Sequence, residues 1–326
     1  MMIARRLPEI LVVALLVAFP WFGGKFYVDL AATTMILAIF ALSLELLVGM
    51  TGLVSFGHAA FFGVAAYVVV LVSPTTAAAP LLLALPAAIL AAGCYALVVG
   101  ALSLRTRGIY FIMVTLAFAQ MAYYVFHDTR AGGGSDGIYL YVKPVLAVGG
   151  TTLLDLDGAQ TFYYVTLAAL VGTFAFLAML GRSRFGHALA GIRVNEQRMR
   201  AAGFSTYAYK LAAFTLAGTL AGVAGFLYAV KDGFVNPEIL AWHQSGTVLL
   251  MIILGGIGSL RGAVIGAFAF VLLREVFQSE TLFGSFARHW QLSLGLTIIA
   301  FVALLPSGLI GLASSRLLRK RLVHVG

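Results

Sequence analysis

Ten apolar runs, most of them close to twenty residues long, decide what this chain can fold into. They lie near 9–22, 29–48, 54–72, 80–104, 108–126, 161–181, 211–230, 243–259, 262–278 and 288–306. An apolar run of ~20 residues crosses the ~30 Å hydrocarbon core as a helix. Inside that core the backbone must satisfy its own hydrogen bonds, which leaves helices and closed barrels. These runs do not alternate with period two, and that selects helices. Charge is scarce as well: 10% of the 326 residues are charged and 62% hydrophobic, whereas soluble domains carry roughly 25% charged residues. Such a chain could not cover a soluble core with polar surface. The expected fold is all-α, a polytopic integral membrane protein of about ten transmembrane helices. No Pro-rich or Ser-rich linker divides it, so residues 1–326 are treated as one domain.

The net charge of +9 does not point to nucleic acid, because the basic residues sit at the ends of the apolar runs. That is where the positive-inside bias places them. Ten crossings put both termini on one side. Fifteen of the 21 lysines and arginines then share that side, among them Arg5, Arg6, Arg105, Arg107, Arg193 and the Arg316–Arg321 tail. Lys25, Arg130, Lys143, Lys231, Arg274 and Arg288 fall on the other. The richer side is expected to be cytoplasmic. Arg5-Arg6 and the run after them resemble a signal peptide, but no small-x-small cleavage site follows, so an uncleaved first helix is expected. The single cysteine, Cys94, excludes an internal disulfide.

Two loops are long. The outer one, 127–160, carries Gly132-Gly133-Gly134-Ser135-Asp136-Gly137, a composition suited to tight turns. The inner one, 182–210, is the most charged segment. Ser183 can cap a helix there, Leu189, Ile192 and Met199 share one face, Glu196 precedes Arg200 by four, and Gly203 can end the helix. A short amphipathic helix of this kind either docks on a partner or lies on anionic headgroups.

A weak two-half repeat links the Gly-punctuated segments 49–63 and 255–266. Helix breaks at corresponding places in two halves mark transport sites, which makes Gly49, Gly52, Gly57, Gly255, Gly256 and Gly258 the candidate breaks. Close packing through small residues, as in Gly218-x3-Gly222 and Gly262-x3-Gly266, explains the same glycines without a transport role.

The segments Gly52–Tyr67 (GLVSFGHAAFFGVAAY), Arg107–Met121, Gly133–Gly137, Ser183–Phe204, Ser245–Ala267 and Leu305–Leu312 together resemble the permease subunits of branched-chain amino acid ABC importers, the LivM-like type. The resemblance runs in order from about residue 30 to 312. It implies a bacterial inner-membrane location, a second related permease, two cytoplasmic ATPase subunits and a periplasmic substrate-binding protein. The chain has no G-x-x-x-x-G-K-[ST] phosphate loop, so no cofactor is expected on it, and ATP is expected to be used by the partner subunits. The resemblance also turns the inner loop into a candidate coupling element, with Arg193, Asn195, Glu196 and Gly203 at the ATPase contact. It makes Glu45, Ser55, His58, Thr115 and Gln120 the candidate substrate path, and Ser135 and Asp136 a candidate docking point for the binding protein. Two departures stand out: the family often has Asn where Glu45 stands and Gly where Ala65 stands.

Other readings remain open at this point. Glu45 is the only acid deep within a run, about 16 residues into its span and therefore ~24 Å from the outer end at ~1.5 Å per residue. It could line the path, pair structurally with Arg105 or Arg107, or serve a secondary transporter as a proton site. Relatives that move urea, amides or aromatic acids leave the substrate open. Arg274-Glu275 can snorkel or border the path. His58 and His127-Asp128 lack a second His or Cys at ligand spacing, so no metal site is expected. No Ser/His/Asp, Cys/His or paired-carboxylate arrangement suggests an enzyme.

Overall fold

The computed structural model describes residues 2–148, 151–305 and 307–311. The basic tail expected on the cytoplasmic side, and the end of the last family-like block at Leu312, lie outside these residues. Each of the ten apolar runs contains an α-helix. In chain order α1 is Met2–Phe22, α2 Lys25–Glu45, α3 His58–Val72, α4 Leu81–Ser103 and α5 Ile109–Asp128. After the outer loop come α6 Ala159–Arg182, α7 Arg184–Val194, α8 Glu196–Ala201 and α9 Thr206–Asp232. The last group is α10 Trp242–Gly255, α11 Leu260–Gln278, α12 Glu280–Phe283 and α13 Trp290–Leu304.

The number of full spans differs from the ten expected. Among the described residues six helices are long and apolar enough to cross a membrane. They are Lys25–Thr51, Leu81–Ser103, Ile109–Asp128, Ala159–Arg182, Thr206–Asp232 and Ala287–Gly311. The helices α10 and α11, expected as separate crossings, form a pair bent by 113°, which makes seven spans if the pair counts as one. The physical reason is glycine. Breaks near Gly52 and Gly256 cut apolar runs into pieces such as α3, whose 15 residues reach only ~22 Å at ~1.5 Å per residue.

The spans are not equivalent. In α2 with its extension 83% of the apolar window is buried, against 18% in the span that contains α13. The centre of the molecule is therefore α2, α3 and α9, and α4, α5, α6 and α13 present most of their apolar surface outward. With no water to expel, helices in lipid associate through close packing of small residues. Gly218 and Gly222 of α9 lie against Ala96 and Ala92 of α4. Gly225 of α9 lies against the Phe62 carbonyl of α3, with the Ala65 methyl beside it. The packing reading of these glycines is thus correct, and Ala65 belongs to the same contact.

Two small ribbons interrupt the helical pattern on the side assigned outward. The strands β1 (Ile138–Tyr139) and β4 (Phe234–Val235) pair antiparallel, joining the long outer loop to the segment after α9. The strands β2 (Val145–Val148) and β3 (Thr151–Asp155) form a hairpin.

Candidate transport and coupling site

The first break follows α2. The helix widens into a π-helical turn, Leu46–Thr51, and ends at Gly52, whose φ of 74° is the left-handed conformation that glycine adopts without penalty. Residues 52–57 are not helical, and α3 starts at His58. Polar side chains satisfy the opened backbone, as bilayer depth demands. The Thr51 hydroxyl donates to the Leu47 carbonyl at 2.7 Å, and Ser55 Oγ accepts from the Gly57 amide at 3.3 Å. The N-terminus of α3 takes its cap from the other half of the chain, since Ser245 Oγ of α10 accepts from the Ala59 amide at 2.8 Å. Gly57 packs against the main chain of Thr115 on α5.

His58 is wholly buried at this junction and stacked on Phe40. Ser43 Oγ donates to the Phe40 carbonyl at 2.7 Å, so it accepts from His58 Nε2, 2.8 Å away. That arrangement puts the ring proton on Nε2 and leaves Nδ1 as a buried lone pair without a partner among the described residues.

The second break separates α10 from α11. Gly256 and Gly258 have φ of 116° and 88°, and Ser259 restarts the helix by accepting from the Gly262 amide at 3.2 Å. The two breaks touch. Gly49 lies so close to Gly258 that a Cβ on it would stand 3.3 Å from the Gly258 Cα. Glu45, 2% exposed, accepts from the Gly258 amide through Oε1 at 2.7 Å, while its Oε2 has no hydrogen-bond partner among the described residues. This corrects the pairing expected with Arg105 or Arg107. Those arginines lie on the turn before α5, whereas the partner of the carboxyl is a main-chain amide 213 residues away.

The inner loop reaches the same point. Arg193, at the end of α7, donates from its guanidinium to the Gly49 carbonyl, and its stem passes over Gly52. The expected single amphipathic helix is in fact two. Asn195 leaves helical geometry at φ −157° and caps α8 by accepting from the Arg198 amide at 2.9 Å. The Ser183 cap and the Gly203 terminator, with φ of 87°, are as expected. Leu189 and Ile192 are buried, and α7 packs against the π-helical turn.

Glu196 ties α8 to α9. It accepts from Arg200 at 2.5 Å and Lys210 at 2.6 Å, and from Thr206 at 3.0 Å. Burial opposes its ionisation, but the hydrogen bonds from Lys210, Thr206 and Arg200, with the Lys210 charge, outweigh it and hold the carboxyl down at about 2.

The other sequence candidates are dispersed. Gln120 lies further along α5, with its Oε1 buried and without a hydrogen-bond partner among the described residues. Ser135 and Asp136 form an exposed turn in which Ser135 Oγ donates to Asp136 at 3.1 Å. Arg274 pairs with Glu275 at 3.6 Å. Sequence reasoning missed Ser43 and Ser245. Each is one hydroxyl in an apolar run, and only the fold gives it a partner.

Buried spans broken at two touching glycine segments, with a polar inner loop reaching into the junction, define a membrane permease. The chain belongs to the family described as branched-chain amino acid transport system / permease component, which matches residues 26–305. It is 29% identical to the high-affinity branched-chain amino acid transport system permease protein LivM of Escherichia coli K12, over 97% of this chain and 77% of that protein. It is 30% identical to LivM of Salmonella typhimurium LT2, over 95% and 76% respectively. A more distant relative, the L-arabinose ABC transporter permease protein AraH of Azospirillum brasilense, is 24% identical over 64% of this chain and 58% of its own length. No solved structure matches the chain.

Proposed function

We propose that this chain is one of two permease subunits of an ATP-driven importer that carries branched-chain amino acids across the bacterial inner membrane. The similarity to the two LivM proteins, which extends over nearly the whole chain, carries this reading. In it a second related permease completes the membrane pathway, two cytoplasmic ATPase subunits bind and hydrolyse ATP, and a periplasmic protein delivers the substrate. The loop 182–210 and both termini face the cytoplasm, and the ribbon-bearing loop faces the periplasm, with Ser135 and Asp136 offered to the binding protein. The helices α7 and α8 receive the ATPase movement. Arg193 passes it to the first break through Gly49, and contact between Gly49 and Gly258 passes it to the second. In this reading Ser55, His58 and Thr115, which meet at the first break, border the substrate path, and Gln120 continues it further along α5.

The test is uptake by the complete complex in liposomes. Labelled leucine should accumulate only when ATP, the ATPase subunits and the binding protein are all present. Accumulation driven by a proton gradient, without ATPase or binding protein, would overturn the proposal. It would point instead to a secondary transporter using Glu45, whose Oε2, without a hydrogen-bond partner among the described residues, is the one observation in favour of that reading.

A further inference from the structure

A cavity of ≈ 730 Å³ opens beside the first break, between residues 51–54, the turn from α4 into α5, and the helices α7 to α9. That volume suits an organic ligand rather than a few waters. Its walls hold five cations, Arg105, Arg107, Arg193, Arg200 and Lys210, and one acid, Glu196. Glu196 is already engaged by Arg200 and Lys210. Among the described residues Arg105 and Arg107 are exposed and make no ion pair. The positive-inside bias accounts for basic residues in each inner loop. Arg193 donates to the Gly49 carbonyl, so Arg105 and Arg107 are the lining cations without a partner among the described residues, and like charges gathered on one cavity repel unless an anion lies among them. The edge of the cavity at Ile109 is apolar and turned outward, 70% exposed, and Tyr110, which follows it on α5 outside the lining, is 76% exposed.

We propose that this cavity binds an anionic phospholipid of the cytoplasmic leaflet, its phosphate headgroup among the arginines and its acyl chain along Ile109 and Tyr110. Basic pockets between membrane helices on the cytoplasmic side take such headgroups. A free oxyanion would use the cations but leave the apolar edge empty. The inference rests on the proposed orientation, with 182–210 cytoplasmic. Because Arg193 and Arg200 belong to the coupling loop, an occupied site would make coupling depend on lipid charge.

The complete complex is placed in nanodiscs of phosphatidylcholine containing a minor fraction of phosphatidylglycerol, and retained lipid is read by native mass spectrometry. The parent should retain phosphatidylglycerol preferentially. The double variant Arg105→Gln/Arg107→Gln should bind it about 30-fold more weakly, which is about 2 kcal/mol at ~1 kcal/mol per basic residue. The double variant Arg105→Lys/Arg107→Lys keeps both charges and should bind within about 3-fold of the parent. Equal retention by the Gln variant would overturn the proposal, and so would failure of the Lys variant to restore it. Displacement of the lipid by millimolar inorganic phosphate would assign the cavity to a free oxyanion and also overturn it. ATP-dependent uptake by the same preparation is read separately, so a failed lipid site is distinguishable from a failed importer assignment.

Discussion

A methyl group at Gly49 is the sharpest probe of the contact between the two breaks. On Gly49→Ala the new Cβ would stand 2.7 Å from Glu45 Cδ, nearer still to Oε1, and 3.3 Å from the Gly258 Cα. Carbon atoms in contact need ~3.5–4.0 Å, so the carboxyl must move by about 1 Å. Glu45 is 2% exposed, so water is not at hand to replace it, and the Gly258 amide loses its acceptor. An unsatisfied buried donor costs about 1–3 kcal/mol, and the better helix propensity of alanine returns up to about 1 kcal/mol. The net loss should be about 1–2 kcal/mol. Glu45→Ala removes the same acceptor and should cost about 1–3 kcal/mol. In the double variant the clash has nothing to strike, so the combined cost should not exceed that of Glu45→Ala. SDS-titrated unfolding in mixed micelles gives all four corners of the cycle. Costs that add to within about 0.5 kcal/mol would mean that the two residues act independently, and the reasoning would fail.

Gly203→Val forces a β-branched residue to φ 87° in open space, so it should misdirect the end of α8 without a clash. Insertion and binding-protein delivery should survive, and ATP hydrolysis should run without uptake; normal coupled transport would remove Gly203 from the coupling element. Glu196 has a folded value of about 2, below its ordinary 4.5, so its contribution to stability is full above about pH 4.5 and is lost as the pH falls towards 2. Glu196→Gln should therefore flatten the acid limb of the unfolding curve between those values, and an unchanged limb would contradict the network. For orientation, single cysteines replace Ser135 and Asn195 in a Cys94→Ala background. An impermeant thiol reagent added to intact cells should label the first and spare the second, and the reverse pattern would invert the proposed topology.

Much of the helical framework was legible in the sequence because lipid imposes one rule on every span. An apolar run of sufficient length must be helical wherever glycine does not open it, and each of the ten runs contains an α-helix. Local chemistry was equally readable where one residue and its near neighbours settle the geometry: the Ser183 cap, the Glu196–Arg200 pair and the Gly203 terminator. The continuity of elements was harder to read. Asn195 was placed inside a single amphipathic helix because the apolar periodicity of Leu189, Ile192 and Met199 runs through it, yet its side chain caps a new helix. The site itself was the least legible. Depth in the bilayer suggested Arg105 or Arg107 as the partner of Glu45, but main-chain amides carry no sequence signature, and the Gly258 amide becomes available only because glycine opens the second break. Arg193 was expected at the ATPase contact on the strength of its loop alone, and that its guanidinium donates to the Gly49 carbonyl was not foreseen. Nothing in its own loop announces a carbonyl 144 residues away.

The central claim of the proposed function is that the loop 182–210, assigned to the cytoplasm, holds the first helix break through Arg193 and reaches the second through the contact of Gly49 with Gly258, and the amount of leucine imported per ATP hydrolysed tests it most directly. In proteoliposomes containing both permeases, the ATPases and the binding protein, Arg193→Ala should keep ATP hydrolysis stimulated by the loaded binding protein. The import ratio should fall at least about tenfold, the equivalent of ~1.4 kcal/mol of lost coupling, and Arg193→Lys, which retains a donor for the Gly49 carbonyl, should recover part of it. A ratio in Arg193→Ala equal to that of the parent, whatever the change in the separate rates, would contradict the claim.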